Sequence, residues 1–132
     1  MPEINWLAAL AAGVSSFVVG GLWYSPALFG KAWQRETGLS DEQLKAGNPA
    51  KIFGGALVLS VAAAVMFAMF LGPNPDPGFA TGAGFAAGVF WVAASFGINY
   101  LFEHKGLTLF LINGGYHTVQ FTVFGLVLGL WH

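Results

Sequence analysis

The sequence predicts an all-α integral membrane protein, a bundle of four transmembrane helices with a short interfacial helix in the first cytoplasmic loop. Three observations predict it. Of 132 residues only 8% are charged and 56% are hydrophobic, with mean hydropathy +0.67, whereas soluble domains are about one quarter charged. So little charge cannot cover a soluble surface, and the solvent must be largely lipid. Second, the apolar residues fall into four runs, and about 20 apolar residues suffice to cross the hydrocarbon core. Third, the 19 glycines follow no collagen or linker pattern and sit inside those runs, as in close-packed membrane helices. The length fits one domain, 1–132. The formal net charge of −1 argues against nucleic acid as a partner, which would require a basic face. With no cysteine, disulfides, thiolate metal sites, a Cys nucleophile and palmitoylation are excluded.

The first span is 4–25. The residues that lead into it, Met1, Pro2 and Glu3, include no Lys or Arg, and the apolar run is too long for a signal-peptide core, so a retained helix is expected. Trp6 at one end and Trp23 and Tyr24 at the other suit the two membrane interfaces. The polar loop 26–51 comes next. Pro26 can open a helix over 27–37. Leu28, Phe29, Ala32 and Trp33 would share one face of it, and Lys31, Gln34 and Arg35 the other, as in a helix lying in the interface. Gly38 ends it. Ser40 with Gln43 forms a capping-box pattern for a second short helix reaching about Ala46. The simplest role for this loop is a solvated segment tied to lipid headgroups.

The second span is 52–72, and a Pro-rich turn, Gly72 to Gly78, leads to the third, 79–102. Glu103 to Gly106 makes a short turn into the fourth, 107–131. Gly84 with Gly88, and Gly125 with Gly129, form two GxxxG pairs, small-residue faces expected to mediate homo-oligomer contacts. All five Lys and Arg residues fall in the 26–51 loop or the 103–106 turn. The positive-inside rule therefore puts those segments in the cytoplasm and both termini outside.

The fourth span is the unusual one. Its middle carries Asn113, Gly114, Gly115, Tyr116, His117 and Gln120. Polar, ionisable groups at membrane depth are costly and mark candidate sites. Counting from the cytoplasmic end, Asn113 and His117 lie roughly 9 and 15 Å deep, and Ser15, Ser16, Ser60, Ser95 and Asn99 fall within about 5–14 Å. The polar side chains of all four spans thus gather in the cytoplasmic half. Helical spacing puts Asn113, His117, Gln120 and Phe124 on one face of the fourth span, and Ser95, Asn99 and Phe102 on one face of the third.

Two readings of that layer compete. Its side chains bond across helices and fix the bundle, with the serines also able to bond their own backbone. Or the layer is a cytoplasm-facing pocket closed by an apolar outer half. For His117 both weigh equally, since imidazole alone among the intramembrane groups titrates near neutral pH. No cofactor is expected. His104 and His132 lie at opposite surfaces and cannot pair with His117 around a haem, and the spans hold no zinc-ligand cluster. Paired carboxylates, a nucleophile elbow and a phosphate-binding loop are absent. Glu103-His104 could serve acid–base chemistry; an ion pair of Glu103 with Lys105, Lys31 or Lys51 is the simpler reading.

The segments Gly20-Gly21-Leu22-Trp23-Tyr24-Ser25-Pro26, Phe29-Gly30-Lys31-Ala32-Trp33, Asn99-Tyr100-Leu101-Phe102-Glu103, Ile112-Asn113-Gly114-Gly115-Tyr116-His117 and Gly125 to Trp131 resemble the domain of unknown function 1761 family. Those are small bacterial membrane proteins with four predicted helices. The resemblance covers essentially the whole chain. It implies an inner-membrane location and no established activity, and it marks Trp23 to Pro26, Glu103 and Asn113 to His117 as signature positions. The expected site is therefore a binding or transport pocket for a small solute, lipid or proton, formed by His117, Asn113, Asn99, Tyr116, Trp23, Tyr24, Ser95 and Glu103. The alternative is a structural or accessory membrane protein acting through helix packing and its interfacial helix. An enzyme ranks last, because only one ionisable group lies within the spans.

Overall fold

The computed structural model describes residues 4–131. The described residues are helical throughout, joined by short turns: α1 Trp6–Trp23, α2 Gly30–Thr37, α3 Asp41–Ala46, α4 Pro49–Leu71, α5 Pro77–Ala87, a π-helical segment Gly88–Ala93, α6 Ala94–Phe102 and α7 Leu107–Leu130. The segment from α5 through α6 is one continuous rod, Pro77–Phe102.

Short polar side chains set the helix starts. Asn5 Oδ1 accepts from the Ala8 amide at 3.0 Å. Asn48 Oδ1 accepts from the amides of Ala50 and Lys51 at 3.0 and 3.3 Å, and Asp76 Oδ2 accepts from that of Phe79 at 2.9 Å. Each satisfies an amide that the first helical turn leaves unpaired. Asn48-Pro49 and Asp76-Pro77 add a proline where its missing N–H costs nothing. They start α4 and α5 a little earlier than the hydropathy alone places them. The Ser40–Gln43 capping box forms as expected, with Ser40 Oγ accepting from the Gln43 amide at 3.1 Å and Gln43 Oε1 from the Ser40 amide at 2.8 Å. The helix expected to lie in the interface, in contrast, starts at Gly30 rather than 27, because residues 24–29 fold into turns in which the Gly30 amide bonds Ser25 O. Gly38 ends it with φ +75°, a left-handed conformation that glycine adopts freely.

Helices α1, α4 and the α5–α6 rod are long and apolar enough to cross a membrane. Helix α7 matches them in length, with 24 residues, but Asn113, Tyr116, His117 and Gln120 interrupt its apolar run. It is also the hub: it touches α1, α2, α4, α5, the π segment and α6. The core is built largely from alanine, with Ala8, Ala9, Ala12, Ala64, Ala68 and Ala87 packed around Phe67, Phe124 and Leu128. Small side chains let the helix axes approach closely.

Closest of all are α5 and α7. A Cβ on Gly84 would overlap the Phe121 carbonyl oxygen, and one on Gly125 that of Ala80; at Gly88 it would lie 2.6 Å from Thr118 Cα and at Gly129 2.7 Å from Pro77 Cα. Both GxxxG pairs therefore lie in the same helix–helix seam inside one chain, each against the backbone of the neighbouring helix. The Gly84/Gly88 and Gly125/Gly129 faces, expected to join copies of the protein, are occupied by the neighbouring helix within one chain. The loop-end half of α4 packs differently. Ile52 and Phe53 are 53% and 60% exposed, and a Cβ at Gly54 or Gly55 would meet nothing within 4 Å.

Candidate functional site

Two layers of polar contacts converge on α7 between Ile112 and Gln120. The deeper one centres on Gln120, which is buried. Its amide nitrogen reaches Ser60 Oγ of α4 at 3.3 Å and Ser16 Oγ of α1 at 3.5 Å, and its Oε1 lies 2.7 Å from His117 Nδ1. Ser16 Oγ in turn donates to Gly13 O at 3.0 Å, and Tyr116 donates its hydroxyl to Ser16 O at 3.0 Å. Three helices are thereby fastened at one depth. With Gln120 so oriented, its carbonyl takes the hydrogen of His117 Nδ1, and the free lone pair of the ring is on Nε2.

The shallower layer lies nearer the loops. Trp23 Nε1 donates to Ile112 O at 2.9 Å. Tyr24 donates its hydroxyl to Asn113 Oδ1 at 2.6 Å, and Asn113 Nδ2 donates to the Tyr100 hydroxyl at 2.7 Å. One asparagine side chain thus bridges the end of α1 and the end of α6. Aromatic rings fill the space around it. Tyr24 meets Tyr116 and Trp33 edge-on, at 5.5 and 6.0 Å between centroids, which docks α2 onto the layer. One turn deeper, the imidazole of His117 stacks on Phe96 at 5.1 Å with a 12° interplanar angle.

The structure therefore brings together Trp23, Tyr24, Asn113, Tyr116 and His117. It does not bring Asn99, Ser95 or Glu103 to them. All three are exposed, and Ser95 donates its hydroxyl to Trp91 O of its own helix. The π segment is the physical cause. Ala80, Gly84, Ala87 and Gly88 form the packed stripe of α5. Carried on at 3.6 residues per turn, that stripe would run through Trp91, Ser95, Ile98 and Phe102. A π segment inserts extra residues into the turn and rotates the helix beyond it. Trp91, Ile98 and Phe102 end up 64%, 58% and 83% exposed, and Ala93, Phe96, Gly97 and Tyr100 face α7 instead. Tyr100 is the site residue that sequence reasoning misses; its one signal is the four-residue spacing from Phe96 that matches Asn113 to His117. Glu103 forms no ion pair with lysine either: among the described residues the ion pair is Arg35 with Glu36, at 3.9 Å and largely exposed.

Two functional groups in this layer are unspent. Every buried side-chain nitrogen and oxygen among the described residues has a hydrogen-bond partner. His117 Nε2 has none among them, so it is not fully sealed inside the bundle. The Tyr100 hydroxyl accepts from Asn113 but donates to no described residue. No group of three His, Asp or Glu side chains among the described residues lies close enough to hold a metal ion.

Fold and site together define a small all-α protein of long apolar helices tied by a polar layer on its central helix. Residues 7–129 match the family described as "Protein of unknown function (DUF1761)", and the chain belongs to that family. No curated protein and no solved structure matches it.

Proposed function

We propose that the protein is a four-span membrane bundle that binds a small polar solute, a lipid headgroup or a proton at the cytoplasm-facing part of this layer. The observation that carries the reading is the open Nε2 lone pair of His117, held by the bond of Nδ1 to Gln120 and by the stack on Phe96. An acceptor nitrogen in fixed orientation, one helical turn from Asn113, whose partner Tyr100 keeps an O–H to donate, can take a donor. Helix α7 supplies the fourth span, since its length suffices and its polar groups, apart from His117 Nε2, are paired within the chain rather than left to lipid. Clustering of all the Lys and Arg residues at the loop end supports a cytoplasmic loop and external termini.

Modification by diethyl pyrocarbonate, which acylates an accessible imidazole, tests this in membrane vesicles. In a variant carrying His104→Gln and His132→Gln, His117 should react in inside-out vesicles and resist in right-side-out ones. Silence from both sides, where His104 in the parent chain reacts, would sink the pocket.

The second reading is a structural tie, favoured by the complete pairing of buried polar side chains among the described residues. His117→Gln keeps a polar group and His117→Ala does not. If the tie is the whole role, His117→Ala lowers thermal stability and His117→Gln restores it. If a site is present, both substitutions abolish ligand binding or proton flux in proteoliposomes, whatever they do to stability.

A further inference from the structure

A shallow, open cleft lies along α2, lined by Lys31, Gln34, Arg35, Gly38, Leu39 and Ser40. We infer that it holds the phosphate of an anionic phospholipid at the loop-side surface of the membrane. The inference rests on α1 crossing the bilayer and is independent of the His117 site.

The argument starts from charge. Lys31 and Arg35 are four residues apart, so they stand side by side on one face of α2. Two cations so placed repel each other, which an anion between them would relieve. Neighbouring acids do not fill that role. Glu36 lies 3.9 Å from Arg35 Nε and lines no part of the cleft. Asp41 accepts from Gln34 Nε2 at 2.8 Å. The ammonium of Lys31 and the outer guanidinium nitrogens of Arg35 have no partner among the described residues. Ser40 Oγ accepts from the Gln43 amide and keeps its own hydrogen to donate. The cleft thus presents two cations and a hydroxyl donor, a set suited to phosphate oxygens.

Position selects lipid as the source. Helix α2 follows the end of α1 after the turns of residues 24–29, so with α1 crossing the bilayer it falls near headgroup depth. It is held there by Trp33 against Tyr24 and by Phe29 against Trp23. Just before it, Leu28 and Phe29 are 55% and 39% exposed, apolar surface that acyl chains would cover.

Short-chain phosphatidylglycerol, short-chain phosphatidylcholine and inorganic phosphate, each titrated into the detergent-solubilised protein by calorimetry, test this. Phosphatidylglycerol should bind tightest. Lys31→Gln and Arg35→Gln should each weaken it roughly five-fold, the loss expected for one basic residue at an anionic surface. The variant Lys45→Gln with Lys51→Gln removes two charges outside the cleft, twice what either single variant removes, and should still leave binding within about two-fold of the parent, well short of the loss for one basic residue at the site. Equal binding of phosphatidylcholine, equal weakening in the Lys45/Lys51 variant, or inorganic phosphate binding as tightly as phosphatidylglycerol would each overturn the assignment. Circular dichroism matched to the parent shows that a variant has kept its helices.

Discussion

The two halves of α7 hold the molecule together by opposite means. From Phe121 to Leu130 the helix meets α5 backbone to backbone, with Gly125 and Gly129 against Ala80 and Pro77, and with Gly84 against Phe121. Among the described residues no hydrogen bond between side chains crosses that seam. From Ile112 to Gln120 the helix meets α1, α4 and α6 through side chains: Trp23, Tyr24 and Tyr100 on one layer, Ser16 and Ser60 on the next. In lipid, helices gain nothing by hiding apolar surface from water, so they associate by close contact or by polar bonds. This helix relies on close contact alone toward Leu130 and adds polar bonds between Ile112 and Gln120, where Gly88 still meets Thr118 closely. The close seam tolerates no added atom, and the polar seam tolerates no lost partner. Variants can therefore separate the two.

The largest effect is expected at the close seam. Gly84→Ala and Gly125→Ala each add one carbon where a backbone carbonyl oxygen already lies, Phe121 in one case and Ala80 in the other. A carbonyl in a helix cannot swing aside as a side chain would, so the helices must part. The loss should match or exceed the upper end of the roughly 1–3 kcal/mol typical of overpacking. Unfolding in a denaturing detergent titration measures it. A loss below half of that would mean that α5 and α7 slide past each other easily.

The next effect belongs to the polar seam. Asn113→Leu removes the acceptor of Tyr24 and the donor to Tyr100 together. Gln120→Leu removes the link between Ser16, Ser60 and His117. Bonds between membrane helices average about 0.6 kcal/mol and reach about 1.7, so each variant should lose roughly 1–2 kcal/mol in the same titration. Tyr24→Phe keeps the ring contacts with Tyr116 and Trp33 and removes one bond, and should lose about 0.6 kcal/mol. If Asn113→Leu costs as much as Gly125→Ala, hydrogen bonding outweighs close packing in this bundle and the contrast is reversed.

How legible each half is in the sequence depends on the same physics. Glycine pairs and apolar runs are periodic signals, so the helices and the small-residue faces can be read directly. The surfaces those faces pack against cannot, because a GxxxG face fits a second copy as well as a neighbouring helix. The polar layer is visible in α7 itself, where Asn113, Tyr116, His117 and Gln120 interrupt the apolar run. Its partners in α1, Trp23 and Tyr24, stand out as aromatics at a span end. In the third long helix, periodicity points to Ser95 and Asn99, and the π segment Gly88–Ala93 turns Phe96 and Tyr100 inward instead. Nothing in Gly88-Val89-Phe90-Trp91-Val92-Ala93 announces a wider turn. Its benefit is visible only in three dimensions: the bulky Trp91 faces outward, where it meets Phe70 at 6.2 Å, and Ala93 takes the place beside Gly114.

The smallest effect sharpens the contrast most. Gly82 lies on α5 between the close-packed turns, is exposed, and has nothing within 4 Å of where a Cβ would stand. Gly82→Ala adds the same carbon as Gly84→Ala, two residues away and on the other side of the helix. If the cost at the seam is steric, Gly82→Ala should leave stability unchanged or raise it by up to about 0.5 kcal/mol, since alanine restricts the unfolded chain more than glycine does. The same detergent titration reads both variants. A loss at Gly82 comparable to that at Gly84 would mean that the outward face of α5 is also in close contact. Among the described residues of one chain nothing reaches that face, so the contact would have to come from a second copy, and the loss should then change as the protein is diluted. Stability independent of protein concentration, with Gly82→Ala neutral, would confine the close seam to the single chain.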